Sequence, residues 1–246
     1  MDKKIIVGIV PQITTKNDNI MYNDRNEFVE VYSRKIKECG GTTIGLLAND
    51  NKIDEETLEL CDAFLIQGGL AIKKPFYDVI NYAIKHNKPL LGICLGMQAI
   101  GIYSLLVNDS NKFSRDEFDA NYTKYKEEHN GMLKKVEDSE IVHNTFINND
   151  TYKESFHTVN IIDKDSILYD IYKKDVISES SLHNYTIYGV WNEFKVTAVA
   201  PDNTVEAIEF KDPNYFILGL QYHPELEDEN LVFKRFVEEG IKRKYE

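Results

Sequence analysis

The stretch from Pro89 to Leu106, PLLGICLGMQAIGIYSLL, constrains this chain more than any other. Leu90 to Ile93 is a short apolar run of the kind a strand shows when it is buried on both faces. From Leu95 the apolar spacing turns helical, through Met97, Ile100, Tyr103 and Leu106. Cys94 stands between the two periods, with Gly92 and Gly96 two residues away on either side. That is the glycine-x-nucleophile-x-glycine pattern of a nucleophile elbow, with cysteine in place of serine. So sharp a turn from strand to helix leaves no room for larger side chains at the flanks. It lifts the Cys94 sulfur above the sheet edge, beside the positive end of the following helix, where backbone N–H groups and the helix dipole favour a thiolate. A small buried cysteine at a strand-to-helix junction would read the same way, so the rest of the chain must supply the deciding partners.

Around this stretch strands and helices alternate with short connections. Strands are expected at Lys4 to Val10, Thr42 to Leu47 and Ala63 to Gln67, the last running into Gly68-Gly69. A polar loop to Asn23 follows the first strand. Helices are expected where Phe28, Val29, Tyr32, Ile36 and Cys39 share a face, at Asp54 to Cys61, and after Pro75. This alternation implies an α/β fold: a mostly parallel central sheet with helices on both faces, in three layers. Sites in such sheets form at the carboxyl ends of the strands, where both Gly69 and Cys94 fall.

From Asn108 to Glu140 the texture changes, with fifteen of 33 residues charged and no clean strand. Phe118, Tyr122 and Tyr125 suit one face of a short helix. The segment reads as an insertion, either a cover near the site or a solvated excursion. Regular structure is expected again at Thr158 to Ile162, Ile167 to Tyr172, Lys195 to Ala200, Val205 to Phe210 and Tyr215 to Tyr222, with a final helix at Asn230 to Ile241. With no repeats and no low-complexity linker, residues 1–246 read as one domain carrying a charged insertion at about 108–140.

A net charge of −12 argues against nucleic acid or an anionic membrane surface as a partner. Cysteines at 39, 61 and 94 have neither metal-ligand spacing nor the pattern of a disulfide framework, so a reducing, cytoplasmic compartment is expected. Cys39 and Cys61 lie on apolar helix faces and read as packing residues. The apolar run after MDKK is too short for a signal or transmembrane segment. No metal or cofactor is expected.

A cysteine nucleophile needs a base and a group to orient that base. His223, in GLQYHPE, has Glu225 two residues on, and in an extended segment the two side chains would point the same way. With the elbow, this makes a Cys94/His223/Glu225 triad. The N–H groups of Leu95 and of Gly69, in the Gly68-Gly69 turn, are natural oxyanion donors. Gln98, one helical turn beyond Cys94, would project toward the same crevice. His86 and His129 read as surface positions, whereas His183, in SSLHNY, is placed to approach the cleft.

Together GICLGMQ, the IQGG turn and GLQYHPE resemble the class I glutamine amidotransferases. VGIVP, the Gly40-Gly41 helix end, SLH at 181–183 and VTAVAPDNTVEAIEF at 196–210 resemble the γ-glutamyl-γ-aminobutyrate hydrolase branch. The resemblance covers most of the chain outside roughly 108–140. It implies a flavodoxin-like three-layer fold and a cysteine hydrolase that acts on the γ-carboxamide of glutamine or of a small γ-glutamyl compound through a thioester. By position it makes Cys94 the nucleophile, His223 the base, Glu225 its orienting carboxylate, Gly69 and Leu95 the oxyanion donors, and Gln98, Gly68 and His183 substrate contacts. Three departures fall on the leaving-group side. Ala71 stands where this branch often has an acid, Tyr185 where it usually has glutamine, and the segment between Gly69 and Cys94 is short. The leading expectation is a stand-alone γ-glutamyl hydrolase, and the alternative is a glutaminase subunit supplying ammonia to a separate synthetase. A catalytically silent binding protein on the same fold is the third. A homodimer is left open. An α/β-hydrolase is disfavoured because there the acid precedes the histidine.

Overall fold

Four strands alternate with helices along the first half of the chain, as the periodicity predicts. β1 (Ile6–Val10), β2 (Thr42–Gly45), β3 (Ala63–Ile66) and β4 (Leu90–Ile93) are separated by α1 (Glu30–Glu38), α2 (Glu55–Glu59) and α3 (Lys74–Lys85). This computed structural model describes residues 4–14, 25–49, 51–107, 112–128, 131–136, 140–144 and 156–246. Most of the polar loop expected before Asn23, and His129, lie outside them. The helix after β4 is α4 (Leu95–Leu106), and α5 (Arg115–Glu128) lies in the charged insertion. The second half contributes β5 (Phe156–Ile161), α6 (Ile167–Tyr172), β6 (Val176–Ser180), β7 (Phe194–Val199), β8 (Val205–Phe210), β9 (Ile217–Leu220) and α7 (Leu231–Tyr245).

The nine strands form one sheet in the order β2-β1-β3-β4-β9-β8-β7-β5-β6. From β2 to β9 all neighbours are parallel, and from β9 onward they are antiparallel. The expected mostly parallel sheet is therefore present, extended at one edge by antiparallel strands. β3, β4 and β9 are buried along their whole length, which is why they read as unbroken apolar runs.

Helices cover both faces and split the core in two. Tyr77, Val79 and Ile80 of α3, with Met97, Ile100 and Tyr103 of α4, pack on one face. Tyr32 and Ile36 of α1 pack on the other, with Phe233, Phe236 and Val237 of α7. Each such large apolar side chain contributes about 1.5–3 kcal/mol when fully buried. The helix at Asp54 to Cys61 is shorter than expected, and α1 begins two residues later than its apolar pattern because Phe28 and Val29 are partly exposed ahead of it.

Among its described residues the insertion is anchored to α3 through α5. Phe118 of α5 is buried and lies tilted against Tyr77 of α3, with ring centroids 4.3 Å apart. Arg115 pairs with Asp78 and Lys74 with Asp119, and Asn121 Nδ2 donates to the Leu106 carbonyl at 3.1 Å. Farther on, Lys134–Lys135 pairs antiparallel with Tyr185–Thr186, a short ribbon in a segment expected to hold no strand. β6 was also not expected, because its sequence VISES alternates and buries a carboxylic acid, Glu179, where a strand signal needs apolar residues.

Candidate active site

Three adjacent parallel strands deliver the site. β4 ends at Cys94, with the glycine turn after β3 on one side and His223, just beyond β9, on the other. Cys94 has φ +50° and ψ −103°, a backbone that side chains other than glycine's rarely adopt and that costs of order 1–3 kcal/mol. The surrounding contacts hold it. The Cys94 N–H donates to the Leu220 carbonyl at 2.7 Å, and the Gln98 N–H to the Cys94 carbonyl at 3.1 Å. The flanking glycines are required by space. A Cβ on Gly96 would lie 2.3 Å from the Ile66 carbonyl oxygen, and one on Gly92 would lie 2.7 Å from the Gly96 carbonyl carbon.

Glu225 reaches His223 differently from the sequence expectation. Pro224–Leu226 is a single 3-10 turn rather than extended chain, because proline at its start sets the φ that a turn needs. The turn folds Glu225 back, and its Oε1 lies 2.6 Å from His223 Nδ1. Both side chains are buried. The His223 N–H is held in turn by the Ser180 carbonyl at 2.9 Å, which gives β6 a place in the site. Burial works against the imidazolium of His223, but the Glu225 carboxylate and the Cys94 side chain outweigh it and push the group up to about 10. At neutral pH the His223 ring is therefore held as an imidazolium.

The glycine turn is braced from two sides. Gln12 Nε2 donates to the Gly68 carbonyl at 2.7 Å, and the Gly68 N–H donates to the Tyr32 hydroxyl at 3.1 Å. Tyr32 donates onward to Glu225 Oε1 at 2.7 Å. Tyr32 was expected only as a core residue of α1; its hydroxyl, on an otherwise apolar helix face, was the available signal. Leu95 opens α4, so its N–H is among those with no partner inside the helix.

A cavity of about 550 Å³ opens over Cys94, within the range of small-molecule sites. Gly69, Leu95 and Gln98 line it beside the sulfur, and Leu182 to Tyr185 form one wall. The insertion contributes Tyr122, Lys126, Met132 and Leu133, with Lys126 the one lysine or arginine among the described lining residues. Gln98 does lie at the crevice, yet its Nε2 already donates to the Tyr185 carbonyl at 2.9 Å and to Gln221 Oε1 at 3.1 Å. The side chain thus fixes the 185 wall and keeps its amide oxygen for other contacts. His183 lines the cavity as well, but its Nδ1 lies 3.1 Å from the Tyr185 carbonyl and its Nε2 faces Glu206. Its ring nitrogens are turned to protein groups. Ala71 is exposed between Leu70 and Ile72, which line the cavity, and His86 is exposed at the end of α3, as read from the sequence.

Residues 76–225 match the family model described as Peptidase C26. The chain is 28% identical over 208 residues to a CTP synthase of Methanosphaera stadtmanae, covering 79% of this chain and 37% of that protein. It spans less than half the length of such curated relatives. Among solved structures it is similar to the glutaminase domain of the Trypanosoma brucei CTP synthase with bound acivicin, at TM-score 0.66 and 19% identity, covering 97% of this chain and 94% of that one. A glutamine amidotransferase from Thermotoga maritima superposes at TM-score 0.56 and 13% identity, covering 98% of this chain and 86% of that one. The superfamily expected from the elbow and GLQYHPE is therefore supported, whereas the γ-glutamyl-γ-aminobutyrate hydrolase branch is not what these relatives represent.

Proposed function

The chain belongs to the peptidase C26 family, and on that footing we propose that it is a glutaminase, releasing ammonia from the γ-carboxamide of glutamine for use by a synthetase partner. The observation that carries this reading is Cys94 lining the cavity, with the buried His223–Glu225 pair behind it and His223 held as an imidazolium. Curated relatives named CTP synthase favour glutamine over a larger γ-glutamyl compound as the substrate.

In this reading the Cys94 thiolate attacks the γ-carbonyl carbon. The oxyanion that forms is stabilised by the N–H groups of Leu95 and Gly69, each such donor being worth about 10²–10³ in rate. His223 then gives its proton to the departing nitrogen, which leaves as ammonia, and the glutamyl group remains on sulfur as a thioester. Neutral His223 next takes a proton from water, which attacks the thioester and frees glutamate and the thiolate. Glu225 holds the ring and balances its charge without reacting. Lys126, on the insertion wall, is the cation placed to meet a substrate carboxylate.

The test is ammonia release from glutamine by the purified chain, run beside γ-glutamyl amides of larger amines. Turnover of glutamine, with trapping of the acyl group at Cys94, supports the proposal. Turnover of the larger amides with none of glutamine would replace it by the stand-alone γ-glutamyl hydrolase reading.

A further inference from the structure

Behind the Leu182–Tyr185 wall, three histidines and one glutamate converge on a point that the glutaminase chemistry does not use. His143 comes from the short segment after the insertion, His157 from β5, His183 from the SLH segment and Glu206 from β8. All four are buried, and Glu206 has no exposed surface. His143 Nδ1, His157 Nε2 and His183 Nε2 lie 3.6, 3.4 and 3.5 Å from Glu206 Oε1. One ligand atom from each residue fits within 4.8 Å of every other. None of these inward atoms, nor Glu206 Oε2, has a hydrogen-bond partner among the described residues.

The outward nitrogens explain why. His157 Nδ1 lies 3.0 Å from the Thr158 carbonyl and His183 Nδ1 3.1 Å from the Tyr185 carbonyl. A carbonyl only accepts, so each neutral ring carries its proton on Nδ1 and leaves a lone pair on Nε2. His143 Nε2 lies 2.8 Å from Asp202 Oδ2, which puts its proton outside and its lone pair inside in the same manner. Three lone pairs therefore face the buried Glu206 carboxyl group across 3.4–3.6 Å with no hydrogen bond between them, a gap that a cation at the centre would fill. Carbonyl and carboxylate partners on the far nitrogens are the usual orienting shell of metal-bound imidazoles.

We propose that His143, His157, His183 and Glu206 form a closed structural site for a divalent transition ion, with Zn²⁺ the best fit. Three imidazoles and a carboxylate suit tetrahedral zinc, and metal–ligand lengths of about 2.0–2.2 Å place ligand atoms about 3.3–3.6 Å apart; the three Glu206–histidine separations are 3.4–3.6 Å, and all four ligand atoms lie within 4.8 Å of one another. Four protein ligands leave no open position, so the ion acts by holding rather than by reacting. It ties the wall at 181–185, whose Tyr185 carbonyl accepts from Gln98, to β5 and β8 in the sheet. The glutaminase reading is not needed for this site, and the site is not needed for that reading.

The experiment uses the full chain carrying Cys94→Ser, so that a thiolate cannot capture the metal. Chelator-stripped protein is titrated with Zn²⁺ and with Co²⁺ while metal content, Co²⁺ visible absorption and the unfolding midpoint are followed. One equivalent per chain, the spectrum of a four-coordinate Co²⁺ site without sulfur, and a higher midpoint with Zn²⁺ are expected. His157→Ala and Glu206→Gln should abolish stoichiometric uptake. Asp202→Asn, which leaves all four ligands in place, should weaken Zn²⁺ binding by about 10–100-fold. Failure of the Cys94→Ser chain to take up either ion, or uptake unchanged by both ligand substitutions, overturns the proposal.

Discussion

The hydroxyl of Tyr32 donates to Glu225 Oε1 at 2.7 Å and at the same time accepts the N–H of Gly68 at 3.1 Å. One atom thus links the carboxylate that orients His223 to the turn that carries Gly69. Burial, with the Glu225 charge beside it, pushes the Tyr32 hydroxyl well above its ordinary range, so it stays a donor. Tyr32→Phe keeps the ring packing of α1 and removes only this link. A hydrogen bond to a charged group contributes about 1.5–3 kcal/mol. The expected outcome is a fall in kcat of about tenfold or more with little change in KM. A KM effect with kcat intact would remove Tyr32 from the site.

The charge state of His223 sets the pH profile. In the proposed mechanism its imidazolium is the proton donor to the leaving nitrogen, so activity should hold until the donor is lost as pH rises through about 10. The same shift means that the folded chain binds this proton more tightly than the unfolded one. The pair's contribution to stability is then full below about 6.5 and disappears as pH passes about 10. Glu225→Gln should move the alkaline limb of kcat/KM downward, because the main partner raising the group is gone. An alkaline limb centred near 6.5 in the native chain would contradict this assignment.

Only one of the three cysteines should be chemically competent. Burial pushes the Cys61 thiol up to about 12 and raises that of Cys39 as well. Cys94→Ser should abolish turnover, and His223→Ala should cost several orders of magnitude, while Cys39→Ser and Cys61→Ser keep activity. Mass spectrometry after reaction with an electrophilic glutamine analogue should find the adduct on Cys94 alone. An adduct on Cys61 in folded protein would sink the assignment.

Gly96 tests whether the elbow is held by space. A methyl group there meets the Ile66 carbonyl oxygen at 2.3 Å, and backbone cannot step aside as a side chain can. Gly96→Ala should cost about 1–3 kcal/mol of stability and lower kcat by tilting α4 away from β3. Gly40→Ala is the control. It has open space around it and suffers only from its φ of +89°, costing about 1 kcal/mol with activity unchanged. Equal effects of the two on kcat would show that close packing at the elbow is not what matters.

Lys126 tests the role of the insertion. If it meets a substrate carboxylate, Lys126→Ala should raise KM for glutamine by up to about fivefold, the scale of an exposed ion pair, and more at low salt than at high. A KM that ignores both the substitution and the salt would assign the wall a purely steric part.

The parallel half of the fold was legible because its central strands β3, β4 and β9 are buried on both faces and its helices keep a clean period. Leu90 to Ile93 and the switch at Cys94 carry both signals at once. The antiparallel half was less legible. Val176 to Ser180 pairs through five residues with β5, but polar residues at buried positions hide it. Cys94, His223 and Glu225 were nameable because they lie in short contiguous motifs, although the 3-10 turn that joins the last two was not foreseen. Tyr32 and the His143, His157, His183 and Glu206 group were not nameable, since their members are brought together only by the sheet order. The insertion's charge concealed its docking, which rests on Phe118 and two ion pairs whose partners lie on a distant helix.

The position of β9 governs when the chain acquires its reactivity. Made after every other strand of the sheet, β9 is not at an edge but sits between β4 and β8, and it delivers His223 while its Leu220 carbonyl braces Cys94. The ribosome therefore exposes the cysteine long before the strand that arms it. Closure of the slot joins segments more than a hundred residues apart, an entropically slow step. Until that strand docks, the elbow lacks both its brace and its base. On the glutaminase reading, recovery of activity on refolding should lag behind formation of the N-terminal parallel strands.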